Sequence, residues 1–153
     1  MKKNIAIIMT VLLLVVAAHS VLAEEFSAAK ENAIAALKVS LPDAVVDYAV
    51  REYDDGSYEW RLFFTLGSQL GECEVLESSN EIRKVTLYEK AEGVLNAGEA
   101  MALLSQSKGA LTIIELELDH EGSLRYEGEA EQGGKRYEFE MRATGEIIEW
   151  ERD

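Results

Sequence analysis

The sequence predicts an α+β fold of two tandem units, each a helix followed by a four-stranded antiparallel sheet, with the helices packed on one sheet face. Three observations carry that expectation. First, the chain repeats itself: Asp54-Asp55-Gly56-Ser57 followed by Tyr58-Glu59-Trp60 returns as His120-Glu121-Gly122-Ser123 followed by Tyr126-Glu127. Second, Ser79-Asn80-Glu81-Ile82 returns as Thr144-Gly145-Glu146-Ile147 at a spacing of 145 − 80 = 65 residues. Third, Asn32-Ala33-Ile34-Ala35-Ala36-Leu37 answers to Glu99-Ala100-Met101-Ala102-Leu103-Leu104 at a spacing of 67. A period this long, with helix pattern and hairpin turns in the same order, marks duplicated supersecondary units.

The elements follow in order. Ala28 to Val39 places Ala29, Ala33, Ile34 and Leu37 at helical spacing, with Ser27 as N-cap and Pro42 enforcing the stop. Strands are expected over 44–53, 57–66, 71–77 and 81–88, separated by Asp54-Asp55-Gly56, Gly67 to Gly71 and Ser78-Ser79-Asn80. In the second of these Tyr58, Trp60, Leu62, Phe64 and Leu66 alternate with Glu59, Arg61, Phe63 and Thr65, the period two of a strand with one apolar face. In the second half, Asn96 with Glu99 three residues on forms a capping box. Gly109 suits the left-handed position that ends a helix. Strands follow over 111–119, 123–131, 135–142 and 146–152, punctuated by Gly122, Gly133-Gly134 and Gly145. Leu37 is expected to be buried like Leu104, and Leu76 like Met141.

The first residues carry a separate signal. Lys2 and Lys3 precede an apolar run from Ile5 to Ala18, and Val21-Leu22-Ala23 presents small residues where signal peptidase reads them. A span needs about 20 apolar residues, and this run weakens at His19-Ser20. Cleavage after Ala23 and a bacterial periplasmic or secreted location are therefore expected, with no stable membrane insertion of the mature chain. The organisation reads as a signal peptide over 1–23, one unit over 24–90 and a second over 91–153.

Cleavage leaves 153 − 23 = 130 residues, with 15 − 2 = 13 basic and 29 acidic side chains, net −16. Such a polyanion is repelled by phosphate backbones and anionic lipid, which argues against nucleic acid as a partner. Cys73 is alone, so it forms no intramolecular disulfide. It reads as a buried small apolar residue, with an intermolecular disulfide as the alternative.

The residues supply no catalytic constellation. The histidines are His19, within the signal, and His120 in a turn, so neither a His-Glu-x-x-His zinc site nor a Ser-His or Cys-His relay can be assembled. Asp54-Asp55-Gly56 and Asp119-His120-Glu121-Gly122 lack the spaced oxygen ligands of a calcium loop. The acids alternate along strands, as on a solvated sheet face. No enzyme activity, metal or cofactor is expected.

The residues resemble the PepSY domain family. The second unit carries the likeness through Glu99-Ala100, Glu115-Leu116-Glu117-Leu118, Gly122, Tyr126-Glu127, Tyr137-Glu138-Phe139 and Thr144-Gly145-Glu146-Ile147-Ile148. The first matches through Ala33-Ile34, Gly56, Tyr58-Glu59 and a closing turn with Asn80 where glycine is usual; Arg142 stands where the family often has Asp. The resemblance implies helix-plus-four-strand units like those of the β-lactamase inhibitory protein. It also implies a role near secreted peptidases, as inhibitor or modulator, and transfers no catalytic residues.

Together these readings point to an exported, non-catalytic protein-binding module whose partner is a secreted or periplasmic peptidase. The alternative is a periplasmic accessory or sensor protein that binds a small ligand or cation through acidic surfaces. If helices cover one face of each sheet, the other face is free for a partner. That face is expected to present Glu59, Arg61, Phe63 and Thr65 in the first unit. In the second it is expected to present Arg125, Glu127, Glu129, Arg136, Glu138 and Glu140. Phe63 is the apolar exception, either covered by the other unit or exposed as an anchor.

Overall fold

A computed structural model describes residues 26–120 and 122–153; the expected signal peptide, with His19, lies outside the described residues. Among those described, no helix is long and apolar enough to cross a membrane. Helix α1 covers 26–40. It is followed by β1 (Val45–Asp54), β2 (Ser57–Leu66), β3 (Gln69–Leu76) and β4 (Ile82–Glu89). The second half is α2 (Ala97–Lys108), β5 (Thr112–Asp119), β6 (Arg125–Gln132), β7 (Lys135–Arg142) and β8 (Ile147–Arg152). Two four-stranded antiparallel sheets result, ordered β1-β2-β3-β4 and β5-β6-β7-β8. The fold is α+β with a tandem pair of sheets, and residues 33–153 form one compact unit.

Local chemistry explains the boundaries. Asn96 accepts from the Glu99 amide at 2.8 Å while the Glu99 carboxylate accepts from the Asn96 amide at 2.9 Å, which satisfies two of the amide groups a helix start leaves open. Gly109 ends α2 with φ 94 and ψ −171, positive in φ as expected but extended in ψ. The β1–β2 hairpin closes through Asp55 (φ 45) and Gly56 (φ 81), the two positive-φ positions of a tight turn that matches strand twist.

The two faces of the first sheet are both buried. One carries Trp60, Leu62, Phe64, Cys73 and Val75, all at or below 1% exposure. The alternate residues Val50, Phe63 and Leu70 belong to a second cluster with Ala97, Ala100, Met101 and Leu104 of α2. That cluster continues through Leu116, Leu118, Tyr126, Ala130, Phe139 and Met141, so one core joins both sheets. Leu37 and Leu104 are fully buried as expected, but Leu76 is half-buried whereas Met141 is fully buried. Leu76 closes its strand; Met141 lies inside β7, opposite Tyr126.

The expected open face over Glu59, Arg61, Phe63 and Thr65 is therefore corrected. Phe63 is 1% exposed and Glu59 3% exposed, and Phe63 meets Tyr126 edge to face at 6.5 Å between ring centroids. The cause is the edge of β5. Its Leu116 amide donates to Glu52 at 3.0 Å, its Leu118 amide donates to Glu72 at 3.0 Å, and its Leu118 carbonyl accepts from the Tyr88 hydroxyl at 2.9 Å. Side chains of β1, β3 and β4 thus occupy the backbone groups that an edge strand otherwise presents to other chains. Arg61 lies between the two carboxylates, 3.1 Å from Glu52 and 2.9 Å from Glu72. Removed from water, those acids need this pairing to remain charged.

Candidate functional site

The second sheet keeps one face open, and its register concentrates charge there. Residues alternate along each strand, so Tyr126, Ala130, Phe139 and Met141 turn to the core while Glu127, Glu129, Glu138 and Glu140 turn away. Cross-strand pairing then builds two rows of four glutamates. One runs Glu115, Glu129, Glu138, Glu151; the next runs Glu117, Glu127, Glu140, Glu149. All of them but Glu151 line a hollow of about 290 Å³, together with Phe139 and Gly128. Gly128 is required there: a Cβ would lie 2.0 Å from the Glu115 carbonyl oxygen, where β5 shifts register between Ile113 and Glu115.

Two cations temper the rows at their inner strands, β6 and β7. Arg125 reaches Glu140 at 3.0 Å, Glu127 at 3.1 Å and Asp119 at 2.5 Å, and Arg136 reaches Glu129 at 3.1 Å. Glu115, Glu117, Glu138, Glu149 and Glu151 have no ion pair among the described residues. Partial burial raises the Glu127 pKa; Arg125 pulls the other way, and Asp119, Glu140 and Glu117 push it further up. Like charges directly opposite each other destabilise a sheet, so the rows are maintained against a folding cost.

Of the residues expected to meet a partner, Glu127, Glu129, Glu138 and Glu140 come together on this face. Glu59, Arg61 and Phe63 lie in the closed junction described above. The alternation of the chain placed every one of them on the correct strand face but could not show which face another part of the chain would cover. Sequence reasoning missed Glu52 and Asp47, and read Glu72 only as a polar neighbour of Cys73. Asp47 lies at the start of α2, accepting from Thr65 at 3.1 Å and from the Gly98 amide at 3.4 Å, where the helix dipole favours an anion. The missed signal was carboxylates flanking the apolar core positions of β1 and β3, as in Glu72-Cys73-Glu74. Among the described residues no three His, Cys, Asp or Glu side chains converge as a metal site.

No protein-family model matches the chain, and no curated protein matches it. Its fold is similar to the crystal structure of a putative lipoprotein from Clostridium difficile 630. The likeness is at 12% identity and TM-score 0.43, covering 79% of this chain and 90% of that one.

Proposed function

We propose that the chain is an exported, non-catalytic protein-binding module that docks a basic partner on the open face of its second sheet. The observation that carries this reading is the pair of uninterrupted glutamate rows. Eight glutamates spread across four strands suit an extended array of Lys and Arg better than a single ion. Their field would steer such a partner, raising the association rate more than the affinity. The tandem PepSY-like pattern supports a peptidase as that partner, with this protein as its inhibitor or modulator. In this reading each helix covers one face of its sheet, and only the second sheet has a face to spare.

The test is capture of partners from the native cell envelope with the mature protein as bait, beside a Glu127→Lys/Glu138→Lys variant of matched melting temperature. A basic-surfaced protein, a peptidase in the narrower form of the proposal, is expected on the wild type and absent from the variant. Equal retention by both baits would remove the acidic face as the docking surface.

A further inference from the structure

An apolar concavity lies away from the glutamate rows. A cleft of about 600 Å³ opens between β4, the segment that follows it and two turns of the second sheet. Thr86, Leu87, Tyr88 and Glu89, four consecutive residues of β4, all line it. Successive strand residues face opposite ways, so a cavity touching four in a row runs along the edge of the strand. The facing wall comes from His120 and Leu124 before and after the β5–β6 turn, and from Arg142 and Thr144.

The walls are tied together before any ligand arrives. The Ala143 amide donates to the Leu124 carbonyl at 2.9 Å, and the Leu95 amide donates to the Ala143 carbonyl at 2.7 Å. Tyr88 is anchored by its bond to Leu118, and its ring lies 5.5 Å from that of His120. Leu87, Val94 and Leu124 supply the apolar surface. Leu87 lines the cleft yet keeps 40% exposure, an unfilled apolar contact.

Charge selects the ligand. In a chain of 29 acids, Glu89 is the one acid among the described residues lining this cleft, and Arg142 the one guanidinium. Arg142 gives Nη1 to Glu146 at 2.7 Å and remains half exposed, which leaves further N–H donors of its planar fork for a second carboxylate. We propose that this cleft binds a free amphipathic carboxylate, its chain lying among Leu87, Val94 and Leu124 and its head on Arg142. Volumes of about 300–1,000 Å³ with an apolar lining and a few placed polar groups are typical of small-ligand sites.

The experiment uses the mature protein and 1-anilinonaphthalene-8-sulfonate as fluorescent probe, displaced by hexanoate, octanoate, decanoate and dodecanoate. Each added methylene that enters the cleft should tighten binding about fourfold. Arg142→Gln should weaken every carboxylate about tenfold without changing that chain-length slope. Leu87→Asp, at an exposed position, should abolish displacement at unchanged melting temperature. Glu138→Lys, on the glutamate face, should change nothing, so failure here leaves the docking proposal standing and the converse also holds. Affinity independent of chain length, or untouched by both Arg142→Gln and Leu87→Asp, overturns the proposal. Loss with Leu87→Asp but none with Arg142→Gln overturns the anionic head. Flotation with phosphatidylglycerol vesicles tests an anionic lipid phosphate as the alternative occupant: the protein is expected to stay in solution. Vesicle binding lost in Arg142→Gln would place the ligand in a membrane and overturn the free-ligand assignment.

Discussion

The two sheets carry corresponding cross-strand rows with opposite outcomes. Tyr58-Glu59 and Tyr126-Glu127 share a spacing of 68, and at that spacing Arg61 answers to Glu129. In the first sheet the row reads Val50, Arg61, Glu74, Lys84; in the second it reads Glu115, Glu129, Glu138, Glu151. Alternating signs let the first face be desolvated, because Arg61 neutralises Glu52 and Glu72 as they clasp the edge of β5. Four like charges in a row cannot be covered by apolar structure without a large desolvation cost. The second face therefore stays in water. The rows differ at three of their four positions, and the one with counter-charges is the one that folding covers.

Phe63 carries the largest expected effect. If it is core, Phe63→Ala costs about 3–5 kcal/mol, read by chemical denaturation; a change within error would return it to the surface. Arg61→Met comes next. It strands two carboxylates against the β5 edge and should destabilise by about 3 kcal/mol. Arg125→Met on the open face should cost far less, since water already solvates its partners. Equal costs would mean the two faces are equally buried.

Acidity sharpens the same contrast. Burial pushes the Glu52 carboxyl up to about 7, against the pull of Arg61 and the Leu116 amide and with a further push from Glu115. Burial likewise raises Glu72, against the pull of Arg61. The folded state therefore binds protons more readily than the unfolded chain, whose glutamates titrate near 4.5. The stability contributed is present below that value and lost as pH rises through about 7. Glu77, lowered by its bond to Arg51, acts in the opposite sense only at more acidic pH. The melting temperature should rise by a few degrees between about pH 8 and about pH 5.5, and Glu52→Gln should remove much of that rise. A fall over this interval contradicts the burial of the pair.

The smallest effect is the most specific. Glu138 faces Glu129 and Glu151 without an ion pair among the described residues. Glu138→Lys sets one cation among the three remaining glutamates of its row and should stabilise by about 0.2–1 kcal/mol. It should at the same time weaken a basic partner. Destabilisation would show that the rows are not held against repulsion.

Much of this was legible in the chain. Period-two alternation from Tyr58 to Leu66 and from Lys135 to Arg142, the Asn96–Glu99 box and the glycine turns led to all eight strands and both helices, with ends off by a few residues. Those signals are local, so one segment suffices to read them. The closure over Glu59, Arg61 and Phe63 was not legible, because it depends on β5 reaching across from 64 residues away at Glu52–Leu116. A glutamate that accepts a distant amide looks the same in sequence as one that faces water. Phe63 was the single local hint, since an apolar residue among Glu59, Arg61 and Thr65 requires some cover.

Which acidic face a cation can reach is directly measurable. A deca-lysine peptide titrated into isotopically labelled mature protein reports this through amide chemical shifts. Shifts are expected to concentrate along β6, β7 and β8, around Glu127, Glu129, Glu138, Glu140 and Glu149, and to reverse when salt shortens electrostatic range to about 3 Å near 1 M. Shifts centred on Glu52, Glu59, Arg61 and Glu72, or spread evenly over both sheets, would contradict it.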